Sequence, residues 1–137
     1  MLADSGNRRP AVVVADDDSD ILALLVFRLE RCGYDVFGAA DGTHALELLE
    51  RAAPDLVVLD WKMPGRHGAF VLDELKERRP DVPVIVLTAE TKEPHRALAE
   101  ALHADAFIAK PFSVKELLET AERLLGERRP GSNGHAA

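Results

Sequence analysis

Cysteine is almost missing from this chain. Cys32 is the single one among 137 residues, which excludes a disulfide framework and a cysteine zinc site. Long apolar runs are missing too. No stretch approaches the roughly 18 residues of a membrane span, and residues 1–10 (MLADSGNRRP) lack the apolar segment of a signal peptide. We therefore expect a soluble, cytoplasmic protein with no membrane partner. The five histidines, His44, His67, His95, His103 and His135, are scattered, so the sequence suggests neither a histidine metal cluster nor a phosphohistidine donor. Positive charge is in deficit: 17 Lys and Arg stand against 24 Asp and Glu, a net charge of −7. The ends run against this. Residues 1–10 and 126–137 each carry +1, and residues 11–125 carry −9. A phosphate backbone would repel that core, so direct nucleic-acid binding is not expected.

What is present is the material of one domain. Hydrophobic residues make up 47% and charged residues 30%, the balance of a globular protein. Residues 1–10 and 126–137 read as flexible tails, the second with the Gly, Pro, Ser and Asn content of a linker. Residues 11–125 form the domain. Four short apolar runs, Ala11–Ala15, Leu56–Leu59, Val82–Leu87 and Ala106–Ala109, suit strands buried on both faces of a parallel sheet. Tyr34–Ala39 alternates like an edge strand. Between them, apolar residues recur at helical spacing over Ser19–Arg31, Thr43–Ala52, Ala69–Arg78, Pro94–Leu102 and Val114–Leu125. Asp41 stands as a cap before the second helix, and Ser113 with Glu116 makes a capping box before the fifth. Five strand–helix repeats with right-handed crossovers predict an α/β fold, a doubly wound five-stranded parallel sheet with helices on both faces.

In such sheets the ligand crevice lies at the carboxyl ends of the strands. Asp16, Asp17 and Asp18 follow the first strand, Asp60 the third, Thr88 and Ala89 the fourth, and Lys110 and Pro111 the fifth. Converging carboxylates repel one another unless a cation joins them. Hard carboxylate oxygens suit Mg2+, which keeps waters and accepts a phosphate oxygen. A cation, a Lys and a Thr hydroxyl around an Asp would stabilise a phosphoryl group arriving on that Asp. Asp60, at the end of the central strand and apart from the acidic run, is the candidate acceptor.

The set Asp16-Asp17, Asp60, Thr88-Ala89 and Lys110-Pro111-Phe112, with Met63-Pro64 and Gly68, resembles the receiver domain of two-component response regulators, over Pro10 to Leu125. The resemblance implies a flavodoxin-like fold and a role as a stand-alone signalling domain, not an enzyme with a separate substrate. It implies that Asp60 takes a phosphoryl group from a phosphohistidine of a sensor histidine kinase or phosphotransfer protein. Mg2+ would be held by Asp17, by Asp16 directly or through a water, by Asp60 and by the Lys62 carbonyl. Lys110 would pair with Asp60 and then with the phosphoryl oxygens, and the Ala89 N–H would bind another of those oxygens. The Lys110–Pro111 bond would be cis. Thr88 and Phe107 match a switch pair in which the hydroxyl moves to the phosphate and the ring turns inward, re-shaping a surface for a downstream protein on the fourth helix, fifth strand and fifth helix.

Departures from the family pattern are specific. Phe107 stands where many members have Tyr, and Arg66 and His67 where Met and Asp are common; the last two read as solvated loop residues. His103 replaces a usual Gly. The acidic residue and Arg of the symmetric transcription-factor dimer are replaced by Ala106 and Thr120, which points to a monomer or weak dimer. Lys62 and Glu90, each two residues past a site residue, could pair over the phosphate and hinder its hydrolysis. Trp61 reads as a partly exposed aromatic, and Cys32 as a small core or boundary residue. Three alternatives stand beside this reading. A haloacid-dehalogenase-type phosphatase would use Asp16 and Asp18 as D-x-D, although Asp20 occupies its Thr/Val position. A flavin binder would need a phosphate-cradling loop where the three Asp stand. The chain could also be the receiver half of a larger regulator without its output domain.

Overall fold

A computed structural model of the chain describes residues 8–63, 67–89, 100 and 102–128. The elements follow in the order β1 (Ala11–Ala15), α1 (Ser19–Arg31), β2 (Asp35–Ala39), α2 (Gly42–Ala52), β3 (Leu56–Asp60), α3 (Gly68–Arg78), β4 (Val84–Thr88), β5 (Ala106–Ala109) and α4 (Val114–Arg128). All five strands are parallel, in the order β2-β1-β3-β4-β5. The doubly wound sheet is as expected. The helix expected over Pro94–Leu102 lies almost wholly outside the described residues, so the C-terminal helix α4 is the fifth helical segment of the sequence.

Alternation builds the two core layers. Val13, Ala15, Val57, Leu59, Val84 and Val86 face α2 and α3, where Leu49, Val71, Leu72 and Leu75 complete one layer. Val12, Val14, Leu56, Val58, Ile85 and Leu87 face the other way, toward Leu25 and Leu29 of α1 and Leu117 and Ala121 of α4. Because β1, β3 and β4 are apolar on both faces, they take the inner places, and β2 and β5 are left at the edges, where Phe37 of β2 is exposed.

The caps set the helix starts. Asp18 Oδ1 accepts from the Asp20 and Ile21 N–H groups at α1, and Asp41 Oδ1 accepts from the His44 N–H at α2. Ser113 Oγ accepts from the Glu116 N–H at 3.3 Å. α4 runs through residues 126–128, which the composition had placed in the tail; Arg123 pairs with Glu127 one turn on, at 3.5 Å. Gly33, at φ 97°, makes the turn after α1. His103 takes a left-handed φ of 72°, a conformation that Gly adopts most readily, and an L side chain there costs on the order of 1 kcal/mol. Cys32 is exposed rather than a core residue, because it stands at the C-cap of α1, past the last buried turn.

The far end of the sheet is tied by two aspartates. Asp55 accepts from the Ala11 N–H at 2.8 Å, and Asp105 from the Val84 N–H at 2.8 Å. Asp105 also pairs with Lys76 of α3 at 2.9 Å, and that ammonium donates to Val82 O. Asp105→Ala leaves the Val84 N–H without its acceptor and Lys76 without its counter-ion. It is expected to destabilise the fold by about 1–3 kcal/mol in urea denaturation. An unchanged midpoint would show the tie to be dispensable.

Candidate functional site

The residues at the strand ends meet at one rim. Asp16 continues directly from β1, and its backbone N–H donates to Ala39 O on β2 at 3.0 Å. Its side chain is fully buried. Oδ1 accepts from the Asp18 N–H at 2.8 Å. Oδ2 lies 3.2 Å from Lys110 Nζ, an ion-pair distance. Lys110 Nζ is also 3.2 Å from Asp60 Oδ1, at the buried end of β3. The Lys110 backbone N–H donates to Thr88 O at 2.9 Å, which ties the end of β5 to the end of β4. The Lys110–Pro111 bond is cis. Asp17 is exposed, and one carboxylate oxygen from each of Asp16, Asp17 and Asp60 falls within 4.8 Å of the others.

The charges explain the electrostatics. Three carboxylates surround one ammonium, so negative charge is in excess. Burial first, then the Asp16 charge, push the Asp60 carboxyl up to about 7, against the opposing pull of Lys110. Burial alone would lower Lys110, but the charges of Asp60 and Asp16 outweigh it and raise that ammonium above its ordinary range. Without a further cation, the site thus retains a proton well above the ordinary carboxylate range. An open cleft of about 390 Å³ lies above it, lined by Asp17, Asp18, Asp60, Lys62, Thr88, Ala89 and Lys110.

Residues 12–122 match the family model of the response regulator receiver domain. The chain belongs to the response regulator receiver family. Solved receiver structures are similar throughout. The receiver domain of the Francisella response regulator 1452 shares 32% identity, with 88% of this chain and 100% of that one covered and a TM-score of 0.83. A CheY-like response regulator receiver protein from Methanospirillum hungatei shares 28% identity, with 91% and 100% covered and a TM-score of 0.87. The BeF3-activated DrrB receiver domain shares 28% identity, with 87% and 99% covered and a TM-score of 0.81.

In this receiver, Asp16, Asp17, Asp60, Lys62, Thr88, Ala89 and Lys110 lie at or line one site. Phe107 is half-buried on β5, opposite Val86 of β4, and packs against the core layer of α2 and α3. Glu90 lies outside the described residues. Asp18 borders the cleft, yet its carboxylate is turned to the α1 cap. The second Asp of a D-x-D phosphatase motif is therefore committed to holding a helix.

Three features escaped the sequence. Trp61 is 1% exposed, not partly exposed, because the indole folds back under the rim into the α2–α3 core layer. His67 is not a bare loop residue. It is the N-cap of α3, its Nδ1 accepting from the Ala69 N–H at 3.0 Å, and its ring stands edge-on to Trp61 with centroids 5.4 Å apart. Gly68 approaches the backbone so closely that a Cβ there would lie 2.5 Å from Trp61 O. A Gly immediately before a helical apolar pattern was the one available signal for that contact.

Proposed function

We propose that this receiver takes a phosphoryl group onto Asp60 from a phosphohistidine of a sensor histidine kinase or phosphotransfer protein. The observation that carries this reading is Lys110 Nζ standing 3.2 Å from both Asp16 and Asp60, inside a three-carboxylate cluster. An Asp60 oxygen attacks phosphorus, the N–P bond breaks, and the electron pair leaves with the imidazole. The Lys110 ammonium, the Ala89 N–H and the Thr88 hydroxyl neutralise the phosphoryl oxygens. The similarity to a BeF3-activated receiver supports a site of this shape.

The residues suit Mg2+. The excess of negative charge, the hard oxygen donors of Asp16, Asp17 and Asp60, and the outward-facing cleft fit a cation that keeps part of its water shell. The Lys62 carbonyl would complete the protein ligands. When bound, Mg2+ offsets the charge of the carboxylates and of the incoming phosphoryl group.

Thr88 and Phe107 act as the switch pair in this reading: the hydroxyl drawn to the phosphate opens room for the ring beside β4. The receiver then presents β5, α4 and the segment before β5 to a downstream protein. Ala106 and Thr120, in place of the acidic residue and Arg of the symmetric dimer, support a monomer or weak dimer. Lys62, exposed at the cleft, and Glu90 would slow loss of the phosphate. The receiver unit of what we read as a cytoplasmic protein starts at residue 11 and includes all of α4, to Arg128. Among the described residues no helix is long and apolar enough to cross a membrane.

Cation binding should depend on pH. Asp60 keeps its proton up to about 7 in the cation-free fold, and Mg2+ must displace it. The apparent Mg2+ affinity is expected to fall by up to about tenfold per unit below pH 7 and to level off above about pH 8. Calorimetric titration at several pH values measures this. An affinity equal at about pH 6 and 8 would mean that the cation does not displace a proton from Asp60 in this range.

A further inference from the structure

The chain leaving β3 is held from two sides. The Trp61 backbone N–H donates to Leu87 O on β4 at 2.8 Å, and Trp61 O accepts from the Gly68 N–H at the head of α3 at 2.9 Å. The indole is buried in the layer that holds Met63, Val71 and Leu72. On its outer side stands His67, with ring planes at 82° to one another, an edge-to-face contact of the favoured kind. An N-cap needs only a small acceptor such as Ser, Asp or Asn. His67 supplies that acceptor and, in addition, a flat ring against Trp61. Trp61 lies between Asp60 and Lys62, so a tilt of its peptide moves both the carboxylate before it and the carbonyl after it.

We infer that His67 is a positioning residue for the cation site, its ring seating Trp61 so that Asp60 and the Lys62 carbonyl face one point. This rests on the cation-binding reading above. Outer groups that orient ligands in this way weaken metal binding when removed.

Titration with MgCl2 alone tests it without phosphoryl chemistry. His67→Ser keeps a capping oxygen and removes the ring; it is expected to leave the thermal midpoint close to wild type and to weaken Mg2+ binding about tenfold. His67→Phe keeps a ring and removes the cap; it is expected to lower the midpoint while Mg2+ affinity stays close to wild type. Wild-type affinity in His67→Ser, or an equal loss in His67→Phe, would overturn the inference. If the wild type binds Mg2+ but takes no label from acetyl phosphate, the acceptor role of Asp60 fails and the positioning role stands. If the wild type binds no Mg2+, both fail.

Discussion

Asp60→Asn will abolish Mg2+-dependent labelling by acetyl phosphate and at the same time stabilise the cation-free protein. The two effects share one cause. The site gathers carboxylates, which suit a cation but oppose folding until a cation or proton is present. Asp60 keeps its proton up to about 7 in the fold, whereas an unfolded chain releases it near 4. Between those values the folded state holds more protons, so stability falls as pH rises and the full cost is present above about 7. Removing the charge is therefore expected to add about 1–3 kcal/mol above neutrality and nothing below about pH 4. Phosphate labelling together with thermal unfolding at both pH values reads the pair of effects. Label persisting in the variant would remove Asp60 from its role. A variant no more stable than wild type above neutrality would contradict the buried like-charge description of the site.

Gly68→Ala is expected to be clearly destabilising, since Gly68 is the described glycine whose added Cβ would meet backbone most closely. The added Cβ would lie 2.5 Å from Trp61 O, 2.8 Å from Trp61 Cα and 3.0 Å from Asp60 O. Every one of these is backbone, so no side chain can swing aside. Either α3 moves off the sheet or the Gly68 N–H to Trp61 O bond breaks. Overpacking of this kind, with a lost hydrogen bond, should cost about 2–3 kcal/mol, well beyond the intrinsic gain of Ala over Gly in a helix. Denaturant unfolding measures the cost. A Gly68→Ala protein as stable as wild type would mean that the crossing of α3 over β3 is looser than this geometry.

The fold was legible because its strands are apolar throughout and its helices striped. Ala11–Ala15, Ser19–Arg31 and Ala106–Ala109 match their elements residue for residue. Errors of one to three residues fell at ends, where caps decide: Pro83 precedes β4, and α4 continues past Gly126. The rim was legible for a different reason. Parallel strands all deliver their following residues to one edge, so Asp16, Asp17, Asp60, Thr88 and Lys110 could be read as neighbours although they are far apart in sequence. What sits under that rim was not legible. Nothing in D-W-K-M says that the indole turns inward, and His67, six residues on, carries no local mark of its contact with Trp61.

By itself, then, the sequence determined the layer order, the list of charged groups at the strand ends and the family to which they belong, because these follow from periodicity and chain direction. Only the tertiary structure decided how those groups are used. It assigned Asp16 to the interior with Lys110, Asp17 to the solvent side and Asp18 to the cap of α1. Three adjacent identical residues received three environments because a strand ends and a helix begins among them, and each backbone step there points its side chain in a new direction. The same holds for Trp61 and His67, whose pairing depends on where α3 crosses β3, a distance that no single stretch of sequence contains.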